Sequence, residues 1–160
     1  MRHVISVTVE NKPGVLAHIS GLFAARGYSI DSLAVGETED PAVSRMTIVT
    51  RGDDQIIEQI TKQLRKLIST LKVQDLSELD YIERDLVLIK VNVPAGKRSE
   101  VIEIVNIFRG KIVDVSLREI VIELSGQETK VQALIDLLKP YGIKEMARTG
   151  SIAMTRGAKK

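Results

Sequence analysis

The segment Asn11-Lys12-Pro13-Gly14 is the part of this sequence best suited to hold a small charged molecule. It joins an alternating apolar stretch, Ile5, Val7 and Val9, to a run with helical spacing that opens with Val15 and Leu16. A loop that enters a helix aims free backbone N–H groups and the positive end of the helix dipole at one spot. Gly14 lets a ligand approach the backbone, and the Asn11 amide can both donate and accept. Together these groups suit the carboxylate and ammonium of a free amino acid. The same four residues also make a good turn and helix start with no ligand, Pro13 fitting the first helical position. Residue chemistry alone leaves both readings open.

Little else in the chain offers chemistry. There are two histidines and no cysteine. His3 opens a strand and His18 leans away from the apolar stripe of the first helix, so both read as surface or boundary residues. No HExxH, His/Asp ligand set or Cys/His cluster is present, which argues against a metal site. No GxSxG elbow, GxGxxG or P-loop occurs, so no catalytic residue is expected. Glu37, Glu39 and Asp40 read as a solvated acidic turn.

The elements that must position the loop follow from periodicity. Ser6, Thr8 and Glu10 alternate with the apolar residues, giving a strand with one buried face. Val15, Leu16, Ile19, Leu22 and Phe23 make a helix ended by Gly27. Tyr28–Glu37 and Val43–Arg51 read as strands. Asp53 is placed to cap a helix whose stripe is Ile56, Ile57, Ile60, Leu64, Leu67 and Ile68. Leu71–Leu76 reads as a further strand. The order β-α-β-β-α-β is ferredoxin-like. It repeats in the second half. Val87, Ile89, Val91 and Val93 share a strand face, and Pro94-Ala95-Gly96 turns the chain. Val101, Ile104, Val105 and Phe108 form a helical stripe, and Lys111–Val115 and Glu119–Leu124 read as strands. Val131, Leu134, Ile135 and Leu138 form a helix stopped near Pro140 and Gly142, and Ile143–Thr155 holds a last strand. Both halves carry Arg-Gly-x-x-Ile/Val-Asp at a helix-to-strand junction, where Gly27 and Gly110 are expected to turn left-handed. The fold class is α+β: two ferredoxin-like βαββαβ domains, 1–77 and 85–160, with a polar linker at 78–84. The open sheet edges of such halves suggest a homodimer.

Composition narrows the function. The 160 residues are 44% hydrophobic and 28% charged, the balance of a soluble globular protein. A formal charge of +2 gives no field for nucleic acid or membrane. Phe23 and Phe108 fall on helices, so no strand carries the aromatic pair that RNA-binding ferredoxin-like domains use. Arg156–Lys160 reads as a frayed basic end. The N-terminus is no signal peptide, no membrane span appears, and the absence of cysteine fits a cytoplasmic protein.

Asn-Lys-Pro-Gly-Val-Leu at 11–16 and Leu-Phe-Ala-Ala-Arg-Gly-Tyr-Ser-Ile-Asp-Ser-Leu at 22–33 resemble the ACT domain, an amino-acid-binding ferredoxin-like module. Ser44–Ile48, Ile107–Val115 and Ala147–Gly150 extend the likeness through both halves. The chain resembles the small regulatory subunits of acetohydroxyacid synthase (acetolactate synthase). The resemblance implies a non-catalytic subunit that activates a large catalytic subunit and confers feedback inhibition, usually by valine, in branched-chain amino-acid synthesis. Thiamine diphosphate, Mg and FAD would sit on the large subunit and none on this chain. It also implies an effector site shared between two ACT domains. One chain would give Asn11, Lys12, Pro13, Gly14, Val15 and Leu16, and the other Ser29, Ile30 and Asp31. The family usually carries Asn where this chain has Ser29, whose shorter side chain lacks the amide donor. Two other readings remain, a free-standing amino-acid sensor and a small ferredoxin-like enzyme such as an acyl-phosphate hydrolase.

Overall fold

Alternating β-branched residues and two apolar helical stripes build the first half as expected. The structure, a computed structural model, describes residues 1–158. The first elements are β1 (Arg2–Glu10), α1 (Val15–Ala25), β2 (Ser32–Glu37), β3 (Val43–Arg51), α2 (Asp54–Lys66) and β4 (Thr70–Asp75). The sheet is antiparallel in the order β2-β3-β1-β4. Ile5, Val7 and Val9 face the helices with Met46, Ile48 and Val73, against Val15, Ile19 and Phe23 of α1 and Ile57, Ile60 and Leu64 of α2. Each such side chain contributes roughly 1.5–3 kcal/mol when fully buried. Asp53 caps α2, its carboxylate accepting from the Ile56 N–H at 2.9 Å. Ile68 lies past the end of α2 and is 98% exposed, so the expected apolar stripe stops before it.

β1 is buried on both faces, contrary to the one-faced pattern expected from its alternation. It is a central strand, and Ser6 and its partner Thr47 are buried with it. On the face away from the helices, Val4, Val49 and Leu76 pack with Ala153 and Tyr81. β2 starts four residues later than expected. The backbone of 28–31 has other partners: the Tyr28 N–H closes α1 on the Phe23 carbonyl, and the Ser29 carbonyl accepts from the Thr50 hydroxyl at 2.6 Å.

The second half contains β5 (Tyr81–Asn92), α3 (Arg98–Ile107), β6 (Lys111–Val115), β7 (Glu119–Gly126), α4 (Glu128–Leu138), a 3-10 turn (Lys139–Tyr141), β8 (Ile143–Arg148) and β9 (Ile152–Thr155). Its antiparallel sheet runs β6-β7-β5-β8, with β9 also pairing β5. Val87, Ile89, Val91 and Val93 form the core with Val101, Val105, Val131, Leu134, Ile135 and Leu138.

The chain divides into Met1–Ile82 with the segment that begins at Ser151, and Glu83–Gly150. This corrects the expected boundaries at both ends. Residues 81–84, read as linker, belong to β5. Glu83 among them is 7% exposed, and Asp85, the next residue on the same face, is 2% exposed, with Arg148 Nη2 2.6 Å from its carboxylate. The expected last strand is two strands, broken at Gly150 with φ 80°, and the second returns to the first unit. Arg156 is not frayed: it pairs with Asp80 through backbone and side chain. Lys159 and Lys160 of the expected basic end lie outside the described residues.

The shared Arg-Gly junction plays two different roles. After α1, Gly27 is left-handed (φ 68°), with bonds from Gly27 N–H to Ala24 O and Tyr28 N–H to Phe23 O. After α3 the same pair of bonds runs from Arg109 to Asn106 and from Gly110 to Val105. Arg109, not Gly110, therefore takes the left-handed position, at φ 58°. Gly110 is required for a different reason, because an added Cβ would lie 3.1 Å from Val105 Cγ1 and 3.3 Å from the Glu123 carbonyl. Arg109→Gly should raise stability by about 1 kcal/mol by relieving the left-handed strain, and Gly110→Ala should lower it. Urea denaturation of the two variants reads both signs.

Candidate functional site

Gly14, at φ 86°, is the N-cap of α1, so Pro13 lies in the turn before the helix and not at its first position. The first helical bond runs from the His18 N–H to the Gly14 carbonyl at 3.0 Å. The Val15 N–H makes only a long turn bond, 3.5 Å, to Lys12 O. No side chain caps α1, so the Leu16 and Ala17 N–H groups have no partner within the described chain. Its first turn also holds no acidic residue. Asp53 and Asp54 serve α2, Glu100 lies in the first turn of α3 and Glu128 in that of α4. Among the described α-helices, α1 alone has neither a side-chain cap nor an acidic residue in its first turn.

Asn11 holds this loop in place. Its Nδ2 donates to Glu37 Oε1 at 3.0 Å and to the Pro41 carbonyl at 2.9 Å. Its backbone N–H donates to Ala42 O at 2.8 Å. Both amide hydrogens are thereby used, and Oδ1 remains as an acceptor. Lys12 Nζ pairs with Glu10 at 2.9 Å. Beside the first turn of α1 lies a cleft of about 480 Å³ lined by Val15, His18, Leu67, Ile68 and Thr70. His18 is exposed, as expected.

The second expected cluster is elsewhere. Ser29 and Asp31 are exposed and Ile30 is half-buried against the first core. Asp31 accepts from Arg51 Nε at 2.6 Å, and its N–H donates to Val49 O at 2.8 Å. Asn11 is bonded beside Ala42, and Asp31 beside Val49. The seven-residue stretch of β3 between these anchors spans roughly 20 Å. One chain therefore does not bring the two clusters together; they occupy opposite ends of the same sheet.

His3, expected at the surface, is 3% exposed, with Nδ1 3.0 Å from Asp75 Oδ2. It is buried because the start of β1 lies beside α2, where it lines a cleft of about 340 Å³ with Asp54, Glu58, Lys62, Arg65 and Glu78. Four carboxylates are held below their ordinary range by neighbours at or near the surface: Glu58 by Lys62, Glu100 by Tyr141 and Lys97, Glu119 by Lys144, and Asp136 by Lys139 and Gln132. Among the described residues no three His, Asp or Glu side chains form a metal-ligand set.

Sequence reading missed Glu37 and Pro41 as supports of Asn11, and Ser32, whose hydroxyl accepts from the Ser151 N–H at 2.9 Å. The Glu37 and Pro41 contacts reach 26 and 30 residues along the chain, and the Ser32 contact reaches 119, so no local pattern marks them.

A family model described as the AHAS small subunit-like ACT domain matches residues 5–72, and one described as the small subunit of acetolactate synthase matches residues 84–157. The chain is 57% identical over 160 residues to a probable acetolactate synthase small subunit of Archaeoglobus fulgidus, covering all of both chains. It is 56% identical over 156 residues to an acetolactate synthase small subunit of Aquifex aeolicus, covering 97% of this chain and 81% of that one. The crystal structure of an acetolactate synthase small subunit from Thermotoga maritima superposes with a TM-score of 0.89 at 45% identity, covering 99% of each chain.

Asn11→Ala removes the two bonds to Glu37 and Pro41 and should cost about 1 kcal/mol in urea denaturation. It should also speed hydrogen exchange at Asn11 and Lys12 while leaving α2 unchanged.

Proposed function

Because this chain belongs to the family of acetolactate synthase small subunits, we propose that it is a non-catalytic subunit that activates a large catalytic subunit and confers feedback inhibition by a branched-chain amino acid, valine foremost. The observation that carries this reading is the uncompensated start of α1 behind left-handed Gly14, within the residues matched by the ACT model. The Leu16 and Ala17 N–H groups suit the effector's carboxylate. Asn11 Oδ1 suits its ammonium. The apolar wall of Val15, Leu67 and Ile68 suits a branched side chain.

The site is completed in a homodimer. β2 is an edge strand, and two copies paired antiparallel along it are related by a two-fold axis. That pairing sets the Glu37 end of one β2, where Asn11 is bonded, beside the Ser32 end of the other. The loop of one chain then meets Ser29, Ile30 and Asp31 of its partner. Shape separates ligands differing by one methylene by only about 1–3 kcal/mol, so valine, leucine and isoleucine overlap as effectors. Inhibition requires the effector to favour one state of the holoenzyme over another.

Thiamine diphosphate, Mg and FAD are assigned to the large subunit in this reading, since this chain carries no glycine-rich phosphate loop to hold them. None of the described helices is long and apolar enough to cross a membrane, and the cysteine-free chain is assigned to the cytoplasm.

Calorimetry with valine, leucine and isoleucine, on the chain alone and with the large subunit, tests the reading. Valine is expected to bind, and binding by none of the three would defeat it. At Gly14 an added Cβ meets nothing within 4 Å. Gly14→Asp should therefore fold, at a backbone cost of about 1 kcal/mol. Its carboxylate opposes the ligand's own and should weaken valine binding by about tenfold or more. Unchanged valine sensitivity in this variant would place the site elsewhere.

A further inference from the structure

The segment Ser151–Arg156 is built into the first unit, although it follows the second in sequence. Ser151 is 2% exposed and Ala153 7%. The Ser151 N–H donates to Ser32 Oγ at 2.9 Å, and Arg45 Nη2 donates to the Ala153 carbonyl at 2.9 Å. Ala153 packs on Val4, Val49 and Leu76, on the sheet face away from the helices. Arg156 closes the segment on Asp80.

Two features make this more than a cover for apolar residues. Ser32 is the first residue of β2 and directly follows Ser29-Ile30-Asp31. It pairs with Val49, whose carbonyl also accepts from the Asp31 N–H. A displacement of the half-site therefore reaches Ser32 through one residue of backbone and a shared partner. Arg45 Nε is buried without a hydrogen-bond partner, so the second anchor holds a charged donor incompletely satisfied. That weakens this anchor relative to its burial. Beyond Gly150 the chain continues into β8, where Arg148 is held by Asp85 and the Thr149 N–H by the Leu86 carbonyl.

We propose that Ser151–Arg156 is a strap that transmits effector occupancy: contacts at Ser29–Asp31 move Ser32, and the Ser32–Ser151 bond moves the strap that continues into the second half of the chain. Ser32 is thus a positioning residue for regulation and not a ligand contact. The inference rests on the effector reading above and adds the residue through which binding becomes inhibition.

The test uses the holoenzyme reconstituted from this chain and its large subunit. Ser32→Ala removes the acceptor, and Ser32→Thr keeps it. The Ala variant should bind valine as the parent does and activate the large subunit equally. Its half-inhibitory valine concentration should rise by about tenfold, within the range of ordinary site-to-site coupling. The Thr variant should match the parent. If inhibition follows affinity in every variant, both unchanged or both weakened alike, the strap is packing only and the proposal is overturned. A second measurement needs no variant. Valine should change hydrogen exchange at the Ser151 amide in the parent holoenzyme while Leu124, in the second core, stays unchanged. Valine binding with no response at Ser151 overturns the strap alone. No valine binding at all overturns the effector reading and the strap with it.

Discussion

Nine consecutive residues of β1 pair with nine of β3 without a break, from Arg2 opposite Arg51 to Glu10 opposite Val43. This register decides where every candidate group lies. It puts the end of β1, and the loop that follows, beside the β2–β3 turn, where Asn11 finds Glu37 and Pro41. It puts the start of β2 at the far end, where Asp31 finds Val49 and Arg51. A slip of one residue would turn Ile5, Val7 and Val9 out of the core, so burial fixes the register and the register fixes where the candidate groups lie.

The same constraint accounts for the division of labour along the chain. α1 is the one described α-helix whose start is neither capped nor acidic, while Gly14 supplies the left-handed turn that exposes its N–H groups. In the second unit Gly96 has a matching φ of 83°, but Glu100 lies in the first turn of the helix that follows, bonded to Lys97 and Tyr141. Two copies of one supersecondary plan thus carry one open helix start and one already neutralised. The first turn of α3 carries a carboxylate where that of α1 carries none, and the left-handed glycine is the N-cap of α1 but precedes the N-cap of α3.

Element types and order were legible because the periods are strong: the alternation in β1 and β5, the stripes of α2 and α4, and the Asp53 cap all appear where the residues place them. What escaped was long-range. Glu83 looked like linker because charge usually means solvent, yet it is buried, as is Asp85 beside it, which pairs with Arg148. The return of Ser151–Thr155 to the first unit rests on contacts with Ser32 and Arg45, more than 100 residues away. At the junctions, the shared Arg-Gly pair suggested one role for both glycines, whereas the left-handed residue shifts by one position between Gly27 and Arg109. The loop at Asn11–Gly14 was legible as a turn entering a helix; the fact that Asn11 spends both amide hydrogens inside its own chain was not.

Because the two clusters lie at opposite ends of one sheet, a shared site must be assembled from two chains, and mixed dimers test this most directly. Chains carrying Gly14→Asp and chains carrying Ser29→Asp are each expected to form dimers defective in valine binding. Mixed by unfolding and refolding together, they should regain binding with one site per mixed dimer, since one loop and one opposing cluster then remain intact. Failure of the mixture to recover any binding, with both parents folded and dimeric, would contradict a site built across the dimer.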